Sequence, residues 1–273
     1  MRFIVKSKQG KSVANYLSTC QLVNLSTNIR RMLMALVITV PLCAYAQVGE
    51  HRDDLTVGVN AGYVLSSVGF TPKVSQYQHG GLTGGFTAKY VCEKYFNSIC
   101  SVMAELNFAS MGWKERILDP KDEKVINATT GVPEEYSRTI NYIQIPMFAH
   151  LAWGKEQKGA QFFFHAGPQF GLYLGESTKS NFNVETVNLT DRSNKTIAQD
   201  TMSVERKFDY GIAAGMGMEY TMPGVGHFLI EGRYYYGLGN IYNATKRDYF
   251  AKSNHGAIII KLAYLFDVKK TKR

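Results

Sequence analysis

Seven charged side chains interrupt runs that are otherwise apolar, aromatic or glycine-rich: Lys89, Glu105, Asp209, Glu219, Glu231, Arg233 and Lys261. Four acids and three bases in such company can pair with one another, relay a proton or grip a charged ligand, and away from water pairing is the least costly of these. His150 and His165 are candidate metal ligands that would need a third partner at bonding distance. Ser66, Ser110, His79 and His255 supply the side chains of a lipid hydrolase, but no spacing singles them out. The glycines of GGLTGG and GMGM precede neither a helix nor a lysine, so a phosphate cradle is unsupported. No cofactor or metal is expected from these residues, and no catalytic set.

The stretch FLIEGRYYYGLGN, Phe228 to Asn240, shows what element carries the charges. Read as a strand, with side chains alternating between faces, it puts Phe228, Ile230, Tyr234, Tyr236 and Leu238 on one side and Glu231 and Arg233 on the other. The same sorting recurs. Phe208, Tyr210, Ile212, Met216, Met218 and Tyr220 oppose Asp209, Gly211, Gly215, Gly217 and Glu219, while Leu82, Phe86 and Tyr90 oppose Lys89, and Val102, Leu106 and Phe108 oppose Glu105. The polar face is crowded with glycines and isolated charges of both signs, as a narrow barrel interior requires. A solvent-washed surface would carry a Lys/Glu mixture instead.

Eight such segments are expected: Leu55 to Leu65, Gly81 to Val91, Cys100 to Ala109, Thr139 to Trp153, Gln161 to Leu174, Lys207 to Tyr220, His227 to Gly239 and Gly256 to Phe266. Each is long enough for a tilted membrane crossing of about 9 to 11 residues. The connections alternate in length: Cys92 to Ile99, Gly154 to Ala160 and Thr221 to Gly226 are short, whereas Ser110 to Arg138 and Gly175 to Arg206 are long and polar. That rhythm predicts an all-β, eight-stranded antiparallel up-and-down transmembrane barrel over residues 55–266, with its function in the long outer loops. Tyr90, Trp153, Tyr220 and Phe266 fall at turn-side strand ends, where an interfacial aromatic girdle would sit. Pro146 removes a ladder hydrogen bond and predicts a bulge or weak pairing. Cys92 and Cys100 flank a turn and suit a disulfide in an exported chain, with two reduced thiols as the alternative.

The formal charge of +9 over 273 residues would suit a nucleic-acid binder, but residues 1–46 hold Arg2, Lys6, Lys8, Lys11, Arg30 and Arg31 and no acid. Without them 25 basic residues face 22 acidic ones, too weak a balance for a polyanionic partner. Arg30 and Arg31 precede the apolar run Met32 to Cys43, and Ala44-Tyr45-Ala46 supplies a small-x-small site, so residues 1–46 are expected to be a signal peptide with a long leader, cut between Ala46 and Gln47. Residues 47–54 would then be a short periplasmic segment and 267–273 a basic periplasmic tail. The competing fold is a soluble, lipocalin-like periplasmic barrel with its apolar face inward around an apolar ligand.

Three stretches carry a resemblance. NYIQIPMFAHLAW (Asn141 to Trp153), FDYGIAAGMGMEY (Phe208 to Tyr220) and EGRYYYGLGNIYN (Glu231 to Asn243), with a last strand ending in Tyr-Leu-Phe, resemble the PorT-type outer-membrane β-barrel family. The resemblance implies a small, non-enzymatic barrel of a Gram-negative outer membrane, with membrane lipid and envelope or secretion-complex proteins as partners. It brings no catalytic residues. The tail KKTKR after Phe266 departs from a chain that ends on its last aromatic.

Overall fold

A computed structural model describes residues 49–127, 130–183 and 189–271. The proposed cleavage site at Ala46 and Gln47, with the leader before it, lies outside the described residues.

Alternating side chains and frequent β-branched and aromatic residues favour extended chain, and the described chain is nearly all strand. The strands are β1 (Glu50–Thr71), β2 (Gln76–Tyr77), β3 (His79–Tyr95), β4 (Ser98–Glu115), β5 (Tyr136–Gly154), β6 (Gly159–Ser180), β7 (Phe208–Met222), β8 (Gly226–Gly237) and β9 (Lys252–Lys269). Neighbours in sequence pair antiparallel from β3 to β9, and β1 joins β3 on one side and β9 on the other, so eight long strands close a ring. The two-residue β2 is an appendage on the end of β4.

The short connections are tighter than the sequence suggested. Only residues 96–97, 155–158 and 223–225 separate the strands at that end, and Gly224 adopts φ 77° beside Pro223. At the other end, strands run past the expected loop boundaries: β4 reaches Glu115, β5 begins at Tyr136, and β6 continues to Ser180. The expected loop Ser110 to Arg138 is thereby mostly strand at both of its ends. The reason lies in what these extensions bury. In the β4 and β5 extensions Met111, Trp113 and Tyr136 point inward and, with Ile140, are fully buried in one cluster with Phe70, Tyr242 and Phe250. Burying them favours continued extension beyond the span a membrane needs.

Which way the apolar faces point is settled by exposure. Phe208, Ile212 and Met216 are 50%, 55% and 55% exposed, while Asp209, Glu219, Glu231 and Arg233 are buried. The lipocalin-like alternative, which needs those apolar groups inside, is not favoured. Tyr90, Trp153, Tyr220 and Phe266 are outward at the short-turn end. Around Pro146 the ladder lapses without a change of register: β4 and β5 pair at Ala104↔Met147 and again at Asn107↔Gln144, with Ile145 and Pro146 skipped. Weak pairing is therefore what the proline produces, and the β5–β6 irregularity falls instead between Asn141 and Tyr142.

Candidate functional site

The inward faces converge on a lumen filled by side chains. Six of the seven singled-out charges form two ionic clusters. In the larger, Glu105 accepts hydrogen bonds from both terminal nitrogens of Arg233, each at 2.9 Å, and from Lys261 Nζ at 2.5 Å. Glu231 shares the same cations, 2.6 Å from Arg233 and 3.8 Å from Lys261. Nearer the short turns, Lys89 Nζ bridges both oxygens of Glu219 at 2.6 Å, and Glu219 lies 2.8 Å from His227, which also reaches Asp267 at 3.2 Å. Asp209 stands apart from both and accepts from Tyr235 Oη at 2.7 Å. Each carboxylate thus has a donor: Glu105 and Glu219 from strands 128 and 130 residues away, Asp209 from the next strand and Glu231 from Arg233 on its own strand, and this pairing is what makes buried charge tolerable.

The glycines of the inner face serve this filling. A side chain at Gly215 would put Cβ 2.5 Å from His165 Nε2, and one at Gly217 would meet Phe163 Cζ at 2.7 Å. Arg233 stacks on Phe148, 4.5 Å from its centroid, and Phe148 stacks in turn on His165 at 4.4 Å. A cavity of about 40 Å³ at the short-turn mouth, between Lys89, His150, Glu219 and His227, holds little more than a water or two.

His150 and His165 face each other across β5 and β6, fully buried, with ring centroids 5.9 Å apart. The only carboxylate within ion-pair reach of either, Glu231, is 3.8 Å from His165, and among the described residues no three His, Cys, Asp or Glu converge as a metal site. The hydrolase candidates are likewise dispersed. Ser110 donates to Asn141 at 2.7 Å, Ser66 to the Gly112 carbonyl at 3.1 Å, His79 meets Thr139, and His255 meets Tyr142. Among the described residues no serine hydroxyl bonds a histidine ring. Cys92 and Cys100 stand at the ends of adjoining strands as free thiols.

Sequence reasoning missed the lid. Residues 189–207, ahead of β7, fold back over the long-loop mouth through a 3-10 turn, Leu189–Asp191, and the one-turn helix α1, Ala198–Thr201. Arg138, from β5, donates to the carbonyls of Asp200, at 3.1 Å, and Met202, and Tyr242 packs against Phe70 and Phe250 beneath it. Its signal was present only as Val204, an apolar residue in a stretch read as polar loop, and as Ile241 and Phe250 in the connection after the seventh expected segment.

An outward apolar belt around a ring of eight strands, with its charges turned inward, is a membrane barrel. The family described as outer membrane protein beta-barrel domain matches residues 45–243. The chain belongs to that family. It is accordingly an outer-membrane protein. Solved structures of outer-membrane proteins are similar to the chain at low identity. Neisserial surface protein A is 11% identical with a TM-score of 0.36, over 78% of this chain and 97% of that one. OprG from Pseudomonas aeruginosa is 12% identical at 0.35, over 80% and 98%, and the Escherichia coli outer membrane protease OmpT is 9% identical at 0.29, over 81% and 96%. No curated protein sequence matches the chain.

Proposed function

We propose that this protein is a PorT-type barrel that acts without catalysis, as a binding or assembly component whose outer loops engage an envelope or secretion-complex protein. The observation that carries this reading is the lumen itself: ion clusters, stacked rings and the lid fill it, leaving the outer surface as the place where a partner can bind. That surface offers two crevices on either side of Leu118. One, of about 160 Å³, lies between Tyr77, Lys114, Lys124 and Glu134; the other, of about 110 Å³, between Ser75, Arg116, Asp122 and Asn194. The first is bounded by β2 and the end of β4, and the second by the loops just beyond them, which suits a loop-borne binding surface. Export by the N-terminal leader, with cleavage before Gln47, belongs to the same reading.

The test is photocrosslinking in intact cells from positions Leu118 and Lys124, with Ile212 on the lipid face as control. A discrete protein adduct from the outer positions, absent from Ile212, supports the reading. Lipid adducts alone, or ion conductance of porin size in a planar bilayer, would overturn it.

A further inference from the structure

The lid holds a cluster that the lumen networks do not explain, above the lipid-facing belt. Glu115 is the last residue of β4 and Asp200 lies in α1; they are 6% and 7% exposed, and Gln199 beside them is fully buried. Gln199 Nε2 donates to Glu115 Oε1 at 2.8 Å and to the Thr196 carbonyl at 2.9 Å, and its own buried Oε1 has no partner. Both carboxylate oxygens of Asp200 also lack a donor from the backbone or from any basic or amide side chain, and the group they face is the Glu115 carboxyl. Three unpartnered oxygen sites, in two side chains more than nine-tenths buried, demand compensation.

The surrounding charges do not supply it. Arg138, from β5, directs its terminal nitrogens to the carbonyls of Met202 and Asp200 and to Tyr242 Oη, lies 3.4 Å from Glu176, and donates to neither Asp200 carboxylate oxygen nor Gln199 Oε1. Arg192, ahead of α1, is bound to Glu134 at 2.7 Å. The phenols of Tyr136 and Tyr242 donate to the backbone carbonyls of Asp200 and Gln199, each at 3.3 Å. With both carboxyls of the Glu115–Asp200 pair ionised, as a bound cation would hold them, Glu115, Asp200, Glu134 and Glu176 against Arg138 and Arg192 leave two negative charges around the pocket.

We propose that Glu115, Asp200 and the Gln199 side-chain oxygen hold a hard divalent cation, calcium or magnesium, which locks the lid over the outer mouth. The donor set is all oxygen, carboxylate and amide, the ligands these ions take, and the residual charge equals the ion's. Two carboxylates and one amide leave further positions for backbone carbonyls and water, as such ions accept. Binding ties β4 to the lid, two segments far apart in sequence, so the ion fastens loop to barrel.

Trp113, fully buried two residues before Glu115, provides the readout. The full-length mature barrel carrying Trp153→Phe, folded in detergent, is titrated with terbium, an oxygen-seeking stand-in for calcium, and excited through Trp113. The expected result is saturable terbium emission displaced by calcium, with calcium affinity reduced about tenfold or more by Asp200→Asn and by Glu115→Gln. Calcium should also slow protease cleavage within residues 189–207 at pH 7.5, and chelator should restore cleavage. Both variants remove repulsion between neighbouring carboxylates, so a folded lid is expected in each. Emission that calcium does not displace, or that both variants leave unchanged, overturns the proposal. A lid that responds to acid and ignores calcium also overturns it and assigns the pair a shared proton.

Discussion

Glu105→Gln tests the energetics of the filled lumen. Glu105 is 5% exposed and neutralises parts of both Arg233 and Lys261, with Glu231 as the only other acid on those cations. The amide keeps one acceptor oxygen but removes the charge, leaving two buried cations facing one carboxylate. Removing one partner of a buried ion pair costs about 3–5 kcal/mol. The retained acceptor places the change at the lower end, about 3 kcal/mol, or roughly 150-fold in the folded-to-unfolded ratio. The double variant Glu105→Leu, Lys261→Met removes one charge of each sign and leaves Glu231 with Arg233, so it should return to within about 1 kcal/mol of the unaltered protein. Urea titration of protein folded into lipid vesicles, followed by tryptophan emission and by gel mobility without boiling, measures both. A Glu105→Gln protein within about 0.5 kcal/mol of the unaltered one, or a double variant no better than the single, would refute the account of the lumen.

Three further outcomes follow from the same geometry. Ile212→Arg, at an outward position 55% exposed to lipid, should cost about 2–4 kcal/mol in vesicles, while Ile212→Leu is neutral, as judged by the same urea titration. Gly217→Ala forces Cβ to 2.1 Å from the Ile230 carbonyl and against Phe163, and should lower stability by about 1–3 kcal/mol. Burial first, then Glu115, pushes the Asp200 carboxyl from 3.8 up to about 9, so between those values the closed lid keeps a proton that an opened lid releases. With chelator present, closure is thus strongest in acid and is lost as pH climbs toward 9, and Asp200→Asn should flatten that trend in protease cleavage rates at pH 5, 7 and 9.

The barrel was legible because its signal is local. Alternation in Phe228 to Leu238 assigns each side chain to a face, and the signs of the inward charges announce that they can pair. Which acid meets which base was not legible, since Lys89 and Glu219 are 130 residues apart and meet only through ring closure. The strand ends were misplaced for a related reason. A membrane needs about 9 to 11 residues per strand, so a reading tuned to that length stops near Ala109, whereas Met111 and Trp113 continue the alternation to bury themselves under the lid. The lid cluster gave no sequence signal, because Glu115 and Gln199 lie 84 residues apart and Asp200 sits in a segment whose composition reads as solvated loop.

The central claim is that the outward apolar face lies in lipid and the long-strand mouth stands clear of it. Quenching by lipids brominated along the acyl chain, with the protein folded into vesicles, tests both halves. Trp153 is 41% exposed at the girdle and Trp113 is fully buried beneath the lid. The account predicts that brominated lipid quenches the unaltered protein and that Trp153→Phe, which leaves Trp113 alone, abolishes the quenching. Emission that stays quenched in Trp153→Phe, or that is unquenched in the unaltered protein, would contradict it.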